Sequence, residues 1–253
     1  MTHQVDYDAV APAYDRRYER NRYDGVAAVL QRFIGEPGTV DAAEVGCGTG
    51  HWLAELQGRA RTVAGLDLSA HMLARARTAA PRALVARGRA EMLPWAAGSF
   101  DRLFCINALH HFADADAFMI EARRVLRPNG ALLTVGLDPH TGRDTWWIYD
   151  YFPGALKADR ARYLSTAAIR AGLQAAGFVE AVTEVAQHFP ATIPFATAVE
   201  RGMVARRATS QLMVISDAEY EEGMQRLRAE QPILRSDLRL FATVAWSRPP
   251  SSA

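Results

Sequence analysis

The sequence predicts an α/β fold: a doubly wound, mostly parallel sheet of seven strands whose last strand runs antiparallel, with N-terminal helices and helical insertions that form a cap. Three observations carry this. Short apolar runs alternate with helical patterns through the first half of the chain, the signature of parallel strands joined by right-handed helical crossovers. A glycine-rich turn stands directly between the first of those runs and the helix after it. Beyond residue 137 the alternation breaks, resumes at about 165–188, and closes on one final apolar run.

Taken in order, Val26, Val29, Leu30, Phe33 and Ile34 place one apolar stripe on a helix, and Gly35-Glu36-Pro37-Gly38 ends it. Strands follow at 40–45, 61–66, 82–86, 102–106 and 131–137, with helices between them at 49–57, 69–80 and 114–126. Phe118, Ala122, Val125 and Leu126 share one face of the last of these helices, and Pro128-Asn129-Gly130 is read as its stop. The stretch 138–163 is rich in aromatic residues and has no strand signal. A helix from about Ser165 turns Ile169 and Leu173 inward and ends at Gly177, before a strand at 178–185. Ser216-Asp217-Ala218-Glu219 is a capping-box pattern that opens a later helix, and 238–246 closes the chain as a strand. With no internal repeat or linker, the chain reads as one domain, 1–253. Its core is about 24–137, 165–188 and 236–247; its cap or lid insertions are about 138–164 and 189–235; a helix at 5–22 precedes the core.

Composition narrows the function classes. Lys and Arg together number 29 against 28 Asp and Glu, a net charge of +1, so the concentrated basic excess of a nucleic-acid binder is missing. All but one of those basic residues are arginine, which is read as genome bias. No apolar run reaches the roughly 18 residues of a membrane span, and the N-terminus lacks the basic-then-apolar order of a signal peptide, so a cytoplasmic protein is expected. Cys47 and Cys105, both read as lying in sheet elements, make neither a disulfide framework nor a zinc site unaided.

The chemistry concentrates at Glu44-Val45-Gly46-Cys47-Gly48-Thr49-Gly50, which follows the first strand and precedes a helix. Glycine there permits a tight turn and lets a ligand approach the main chain. Asp67 ends the second strand, where an acid can accept both ribose hydroxyls of a nucleoside; Ser69 already supplies the helix cap that would otherwise explain it. A dinucleotide fingerprint would read Gly-x-Gly-x-x-Gly, but His51 stands where its third glycine belongs. The tighter spacing, with an acid before it, resembles the first motif of the class I S-adenosylmethionine-dependent methyltransferases, in particular small-molecule members of the type 11 and type 25 kind. The resemblance covers roughly residues 5–137.

That resemblance implies a Rossmann-like sheet, S-adenosyl-L-methionine as cofactor with S-adenosyl-L-homocysteine as product, and no metal. It implies that Glu44, Gly46, Cys47 and Gly48 surround the methionine moiety, that Asp67 holds the ribose, that Leu68 lies against the adenine, and that Met72 also belongs to the cofactor site. Gly88 to Trp95 resembles the segment closing the adenine pocket. The family commonly has Asp where this chain has Arg89, which offers only donors, so Ala90 main-chain atoms or the Glu91 side chain are the substitutes. Asn107 falls where the backbone meets the methionine amino group. Tyr14, in the 5–22 helix, is expected near the methionine carboxylate.

Methyl transfer from a sulfonium asks mainly for alignment and exclusion of water, with a base only for a hydroxyl or protonated amine. His110, His111 and Asp138 are the candidate bases. A packing role beside the cofactor pocket stays open for the histidines, and His140 is comparable to Asp138. His51 and His188 are read as structural. Trp146, Trp147, Tyr149 and Tyr151 are the candidate substrate-binding residues, with ordinary helix packing as the competing account. The expected acceptor is a small, aromatic or heterocyclic metabolite of secondary metabolism, methylated on O or N with C ranked lower. No nucleic-acid or membrane partner is expected, and the protein would be a monomer or homodimer. Methylation of RNA or protein, or cofactor binding without methylation, are the alternatives.

Overall fold

The structure is a computed structural model and describes residues 22–247; Tyr14 and the 5–22 helix, apart from its last residue, lie outside the described residues. In chain order the elements of the first half are α1 (Asp24–Ile34), β1 (Asp41–Val45), α2 (His51–Leu56), β2 (Thr62–Asp67), α3 (Ala70–Ala79), β3 (Leu84–Arg87), β4 (Phe100–Ile106), α4 (Ala115–Val125) and β5 (Leu126–Gly136). Then come β6 (Thr145–Trp146), α5 (Trp147–Tyr151), α6 (Pro153–Arg162), α7 (Thr166–Ala175), β7 (Glu180–Pro194), α8 (Phe195–Glu200), α9 (Ser210–Val214), α10 (Asp217–Glu230) and β8 (Ile233–Trp246). They form two compact units. Of the described residues, the core unit takes 22–136, Thr166–Gln187 and 240–247; the cap unit takes Leu137–Ser165 and His188–Arg239.

In the core unit, β3, β2, β1, β4 and β5 lie side by side in that order and all pair in parallel. The last strand, β8, runs antiparallel to β5, with Leu133 opposite Val244. β7 pairs with β8 in turn: Val179 N donates to Trp246 O at 3.0 Å and Thr183 Oγ1 meets Thr243 Oγ1 at 2.9 Å, a sense that is also antiparallel. Every residue of β1 is buried, as expected of a parallel strand covered on both faces. One core cluster joins Leu103 and Cys105 of β4, Phe118, Met119 and Ala122 of α4, and Leu173 of α7. From β1 the chain builds outward through β2 to β3, then returns to place β4 on the other side of β1. That reversal is a topological switch point, beyond whose strand carboxyl ends ligands bind in open α/β sheets.

The cap unit has its own core, in which Trp147, Ile148 and Phe152 meet Phe195, Leu212, Met224 and Leu227. Its β6 pairs antiparallel with the start of β8, Thr145 opposite Asp237. Among the described residues the sheet therefore has eight strands rather than seven. The extra strand is two residues long, too short to leave a period in the sequence. The stretch 138–163, read as lacking strand, thus carries β6 together with α5 and α6.

A second difference concerns Pro128-Asn129-Gly130. This triplet does not stop α4, which already ends at Val125; it lies inside β5. Leu126 is 3% exposed and pairs with Phe100, and the register shifts between Phe100 and Arg102, so the triplet forms an irregularity that absorbs the missing proline N–H. Asn129 takes a left-handed φ of 63° there. β7 also runs on to Pro194, and β8 begins five residues before the expected strand, at Ile233.

Candidate active site

The turn after β1 is built by main-chain bonds to β2. Gly46 N and Cys47 N both donate to Leu66 O, at 2.8 and 2.9 Å. Gly46, Gly48 and Gly50 have φ of 77°, 52° and 85°, the left-handed region where a side chain is disfavoured. A Cβ on Gly46 would stand 2.4 Å from Ala108 Cβ, so the turn also passes close to the loop after β4. Cys47 belongs to this turn and not to a strand, correcting the expectation for it. Burial, then the charges of Glu44 and Asp67, push its thiol pKa up, which leaves it protonated and unreactive. Glu44, at the end of β1, is 1% exposed.

Asp67 ends β2 and is tied to the turn: Gly48 N donates to its Oδ2 at 2.8 Å, and Ser69 N to its Oδ1 at 2.9 Å. Bonded through both oxygens, the carboxylate is held in a fixed plane. Ser69 is the N-cap of α3, accepting from Met72 N at 3.1 Å, as the sequence indicated. Leu68 is 52% exposed beside Asp67, whereas Met72 is 2% exposed and buried among core residues.

On the adenine side, Ala90 is 6% exposed and part of the core cluster. Glu91, the expected substitute for the missing Asp, bonds the start of the next helix. Its Oε1 accepts from Ala113 N at 2.7 Å and Asp114 N at 3.2 Å, and Arg89 Nε lies 3.3 Å from its other oxygen. Burial pulls the Glu91 pKa up, but these backbone donors, its own N–H and the Arg89 charge outweigh it and hold the carboxyl below its ordinary value. The carboxylate is thereby committed to the turn that opens α4.

Asn107 follows β4 with φ 53°, an uncommon conformation for a residue with a side chain, held by its N–H donating to Val135 O at 2.8 Å. The backbone beyond β4 is therefore bent toward the same end of the sheet as the glycine turn. His110 and His111 sit in the 3-10 turn Leu109–His111, their rings 3.8 Å apart between centroids and both half-buried.

The cap unit holds the remaining candidates. Asp138 is 2% exposed, and its Oδ1 accepts from His140 N at 3.0 Å. Asp138 and Tyr149 line one cavity of about 40 Å³, which also receives Thr141, Asp144, Leu156 and Arg160. The Tyr149 hydroxyl donates to Asp159 Oδ2 at 2.7 Å. Asp159 is fully buried and also accepts from Gln211 Nε2 at 3.0 Å and from Arg162. Burial, then the Asp159 charge and hydrogen bond, drive the Tyr149 pKa up, so Tyr149 keeps its proton. Trp147 is 3% exposed within the cap's apolar core, as helix packing would have it. Trp146 packs edge-on to Tyr149 at 5.3 Å, and Tyr151 donates to Glu230 Oε2 at 2.6 Å under the Arg226 guanidinium.

Thr141, Asp144, Arg160 and Asp159 were not singled out from the sequence. They are ordinary polar residues in a stretch without a motif, and only tertiary folding gathers them. Arg206 donates to Ile215 O and Asp217 and so braces the segment before α10.

Residues 43–134 match the family described as a methyltransferase domain. The chain is 31% identical over 194 residues to the biotin biosynthesis bifunctional protein BioHC of Cellvibrio japonicus, covering 69% of this chain and 38% of that protein. It is 29% identical over 256 residues to a malonyl-[acyl-carrier protein] O-methyltransferase of Laribacter hongkongensis, covering 95% of this chain and 84% of the relative. A solved putative methyltransferase from an antibiotic biosynthesis pathway of Anabaena variabilis superposes with a TM-score of 0.66 at 21% identity, over 86% of this chain and 95% of that one, a likeness of fold. The chain spans 38, 63 and 56% of the length of three curated relatives that it matches. No helix among the described residues is long and apolar enough to cross a membrane.

Proposed function

From the premise that residues 43–134 are a class I S-adenosylmethionine-dependent methyltransferase domain, we propose that the protein methylates an O or N atom of a small organic acceptor. The observation that carries this is the bond from Gly48 N to Asp67 Oδ2, which joins a left-handed glycine turn to an acid at the end of the neighbouring strand. The fit to the cofactor rests on two features of the site. No Cβ intrudes at Gly46 or Gly48, and the Asp67 carboxylate is held in a fixed plane at the end of β2, the place from which an acid reaches ribose hydroxyls.

When bound, S-adenosylmethionine supplies an electrophilic methyl group on sulfur with a good leaving thioether. Asp67 would hold the ribose, Leu68 the adenine face, and Glu44 with the turn backbone the methionine half, while Asn107 carries the chain past the amino group. Alignment and water exclusion are the main contributions asked of these residues. His110 and His111 are the base candidates of the core unit and Asp138 that of the cap. Tyr149 is no base, because its proton is committed to Asp159. The aromatic stretch that contains Trp146, Tyr149 and Tyr151 supports a ring-bearing acceptor, and the neutral net charge favours a small molecule over a nucleic acid.

Isothermal titration with S-adenosylmethionine and with S-adenosylhomocysteine tests the reading directly. Binding is expected, with Asp67→Ala weakening it by at least about 10-fold. Incubation with cofactor and a metabolite panel should then yield S-adenosylhomocysteine. Absence of affinity for either nucleoside ends the proposal, and conversion of an acceptor with intact cofactor would assign the chain a non-methylating role on the same fold.

A further inference from the structure

The charge of the chain is neutral in sum but uneven along its length. Five of the 29 basic residues and none of the 28 acids fall between Leu68 and Ala90. That segment is α3, β3 and the turns beside them. It forms one edge of the core unit, where β3 pairs with β2 alone among the described residues and α3 packs against it.

Arg77 in the last turn of α3, Arg82 just before β3 and Arg87 at its end are all exposed. None of the three has an acidic partner among the described residues. Arg87 Nε donates to Leu68 O at 2.9 Å, and Arg82 is anchored through its main chain, whose N–H donates to Gln57 Oε1 at 2.8 Å. Arg89, the next cation along, is met by Glu91. Among these charges stands Leu84, the first residue of β3 and 72% exposed. From Arg82 to Arg87 the chain spans up to about 16 Å, the length of about three turns of helix.

Like charges gathered without counter-charges repel, and an acidic face brought against them removes that cost while giving each guanidinium a charge-assisted acceptor. An apolar side chain ringed by such pairs is the composition of a protein interface. A single-stranded RNA surface would add aromatic side chains for stacking, and no Phe, Tyr or Trp occurs between Leu68 and Leu93. A lipid surface would need an apolar helix face to embed, and that of α3, formed by Met72, Leu73 and Ala76, is buried.

We propose that the α3–β3 edge is a docking surface for an acidic amphipathic helix of a partner protein, with the partner's carboxylates on Arg77, Arg82 and Arg87 and its apolar side against Leu84. The inference goes beyond methyl transfer and does not depend on it, since Arg77, Arg82 and Leu84 take no part in the cofactor site.

The test uses the full chain and a fluorescein-labelled synthetic helix of about 18 residues, with leucine along one face and glutamate along the other, followed by fluorescence anisotropy. Binding is expected at low salt and should weaken at least about 10-fold between about 50 and 300 mM. The same helix with glutamine for glutamate should not bind. Arg77→Glu combined with Arg82→Glu should weaken binding at least about 10-fold, and Leu84→Ser at least about threefold, with S-adenosylhomocysteine affinity unchanged. If the double reversal lowers the thermal midpoint, Arg82→Gln alone carries the test, with a loss of about threefold expected. A labelled RNA of about 20 nucleotides and phosphatidylglycerol vesicles are the competing occupants. No binding of the acidic helix, indifference to salt, to the arginine changes or to Leu84→Ser, or tighter binding of RNA or vesicles overturns the proposal.

Discussion

Gly46 must be glycine on two counts. Its φ of 77° would cost a residue with a side chain roughly 1–2 kcal/mol, and its Cβ would collide with Ala108 at 2.4 Å. Gly46→Ala is therefore expected to lower unfolding free energy by at least about 2 kcal/mol and to weaken S-adenosylmethionine binding, both readable in one thermal-shift titration. Glu91 makes the opposite point. The family resemblance suggests it as an adenine contact, and its bonds to Ala113 N and Asp114 N give it a backbone role as well. Glu91→Gln should cost about 1 kcal/mol of stability while cofactor affinity stays within about twofold; a large affinity loss without destabilisation would return Glu91 to the adenine pocket. These residues also mark what was legible. Asp67 and the glycines could be read because their roles depend on backbone geometry and on a fixed place at a strand end. The commitment of Glu91 could not, because its partners lie more than twenty residues away in sequence.

At the scale of elements, helix starts were more legible than helix stops. Ser69 and Ser216 cap as their sequence context indicates and Asp114 caps likewise, with side-chain oxygens accepting from Met72, Glu219 and Ala117 N. A cap is a local bond within four residues, so the sequence contains all of it. Asp114→Ala should cost about 1 kcal/mol, measured as a shift in denaturation midpoint at constant slope. The capping box at Ser216 is only half made: Glu219 Oε1 accepts from Gly154 N at 2.5 Å, so its carboxylate joins α10 to the start of α6 inside the cap unit. The end of α4 was misplaced for the same kind of reason. Pairing of Leu126 with Phe100 draws the strand forward through Pro128-Asn129-Gly130, and long-range pairing overrides a local stop signal.

For the whole molecule, the sheet has different chemistry at its two ends. The glycine turn, Asp67 and Asn107 gather at the carboxyl ends of the parallel strands. At the amino ends, Arg61 bonds both oxygens of Asp41, and Arg127 bridges Asp41 and Asp101 at 2.9 and 2.7 Å. The Arg61 hydrogen bond, opposed by burial and reinforced by Thr62 and Arg127, holds Asp41 far below the ordinary carboxylate pKa. The unfolded chain thus binds this proton first as pH falls. The stability from Asp41 is fully present above about pH 4 and is lost progressively below it. Asp41→Asn should lower the melting temperature at pH 7, with the gap to the unaltered protein closing between about pH 4 and pH 2. A gap that persists unchanged through that range would deny the ion cluster this role.

The sequence by itself determined the class of fold, the order of its alternating core, the glycine turn with Asp67, and the antiparallel last strand. Each rests on local periodicity, or on glycine and acid at fixed places along strands, which the chain carries without knowing its partners. Tertiary structure alone decided the rest. It showed that Glu91 serves the backbone, that Trp147 belongs to the cap's core, that a two-residue strand enlarges the sheet, and that Asp138, Asp144, Tyr149 and Arg160 share one cavity. Those facts depend on which distant side chains meet, and a periodic pattern along one chain specifies the face a residue presents but not the group that faces it.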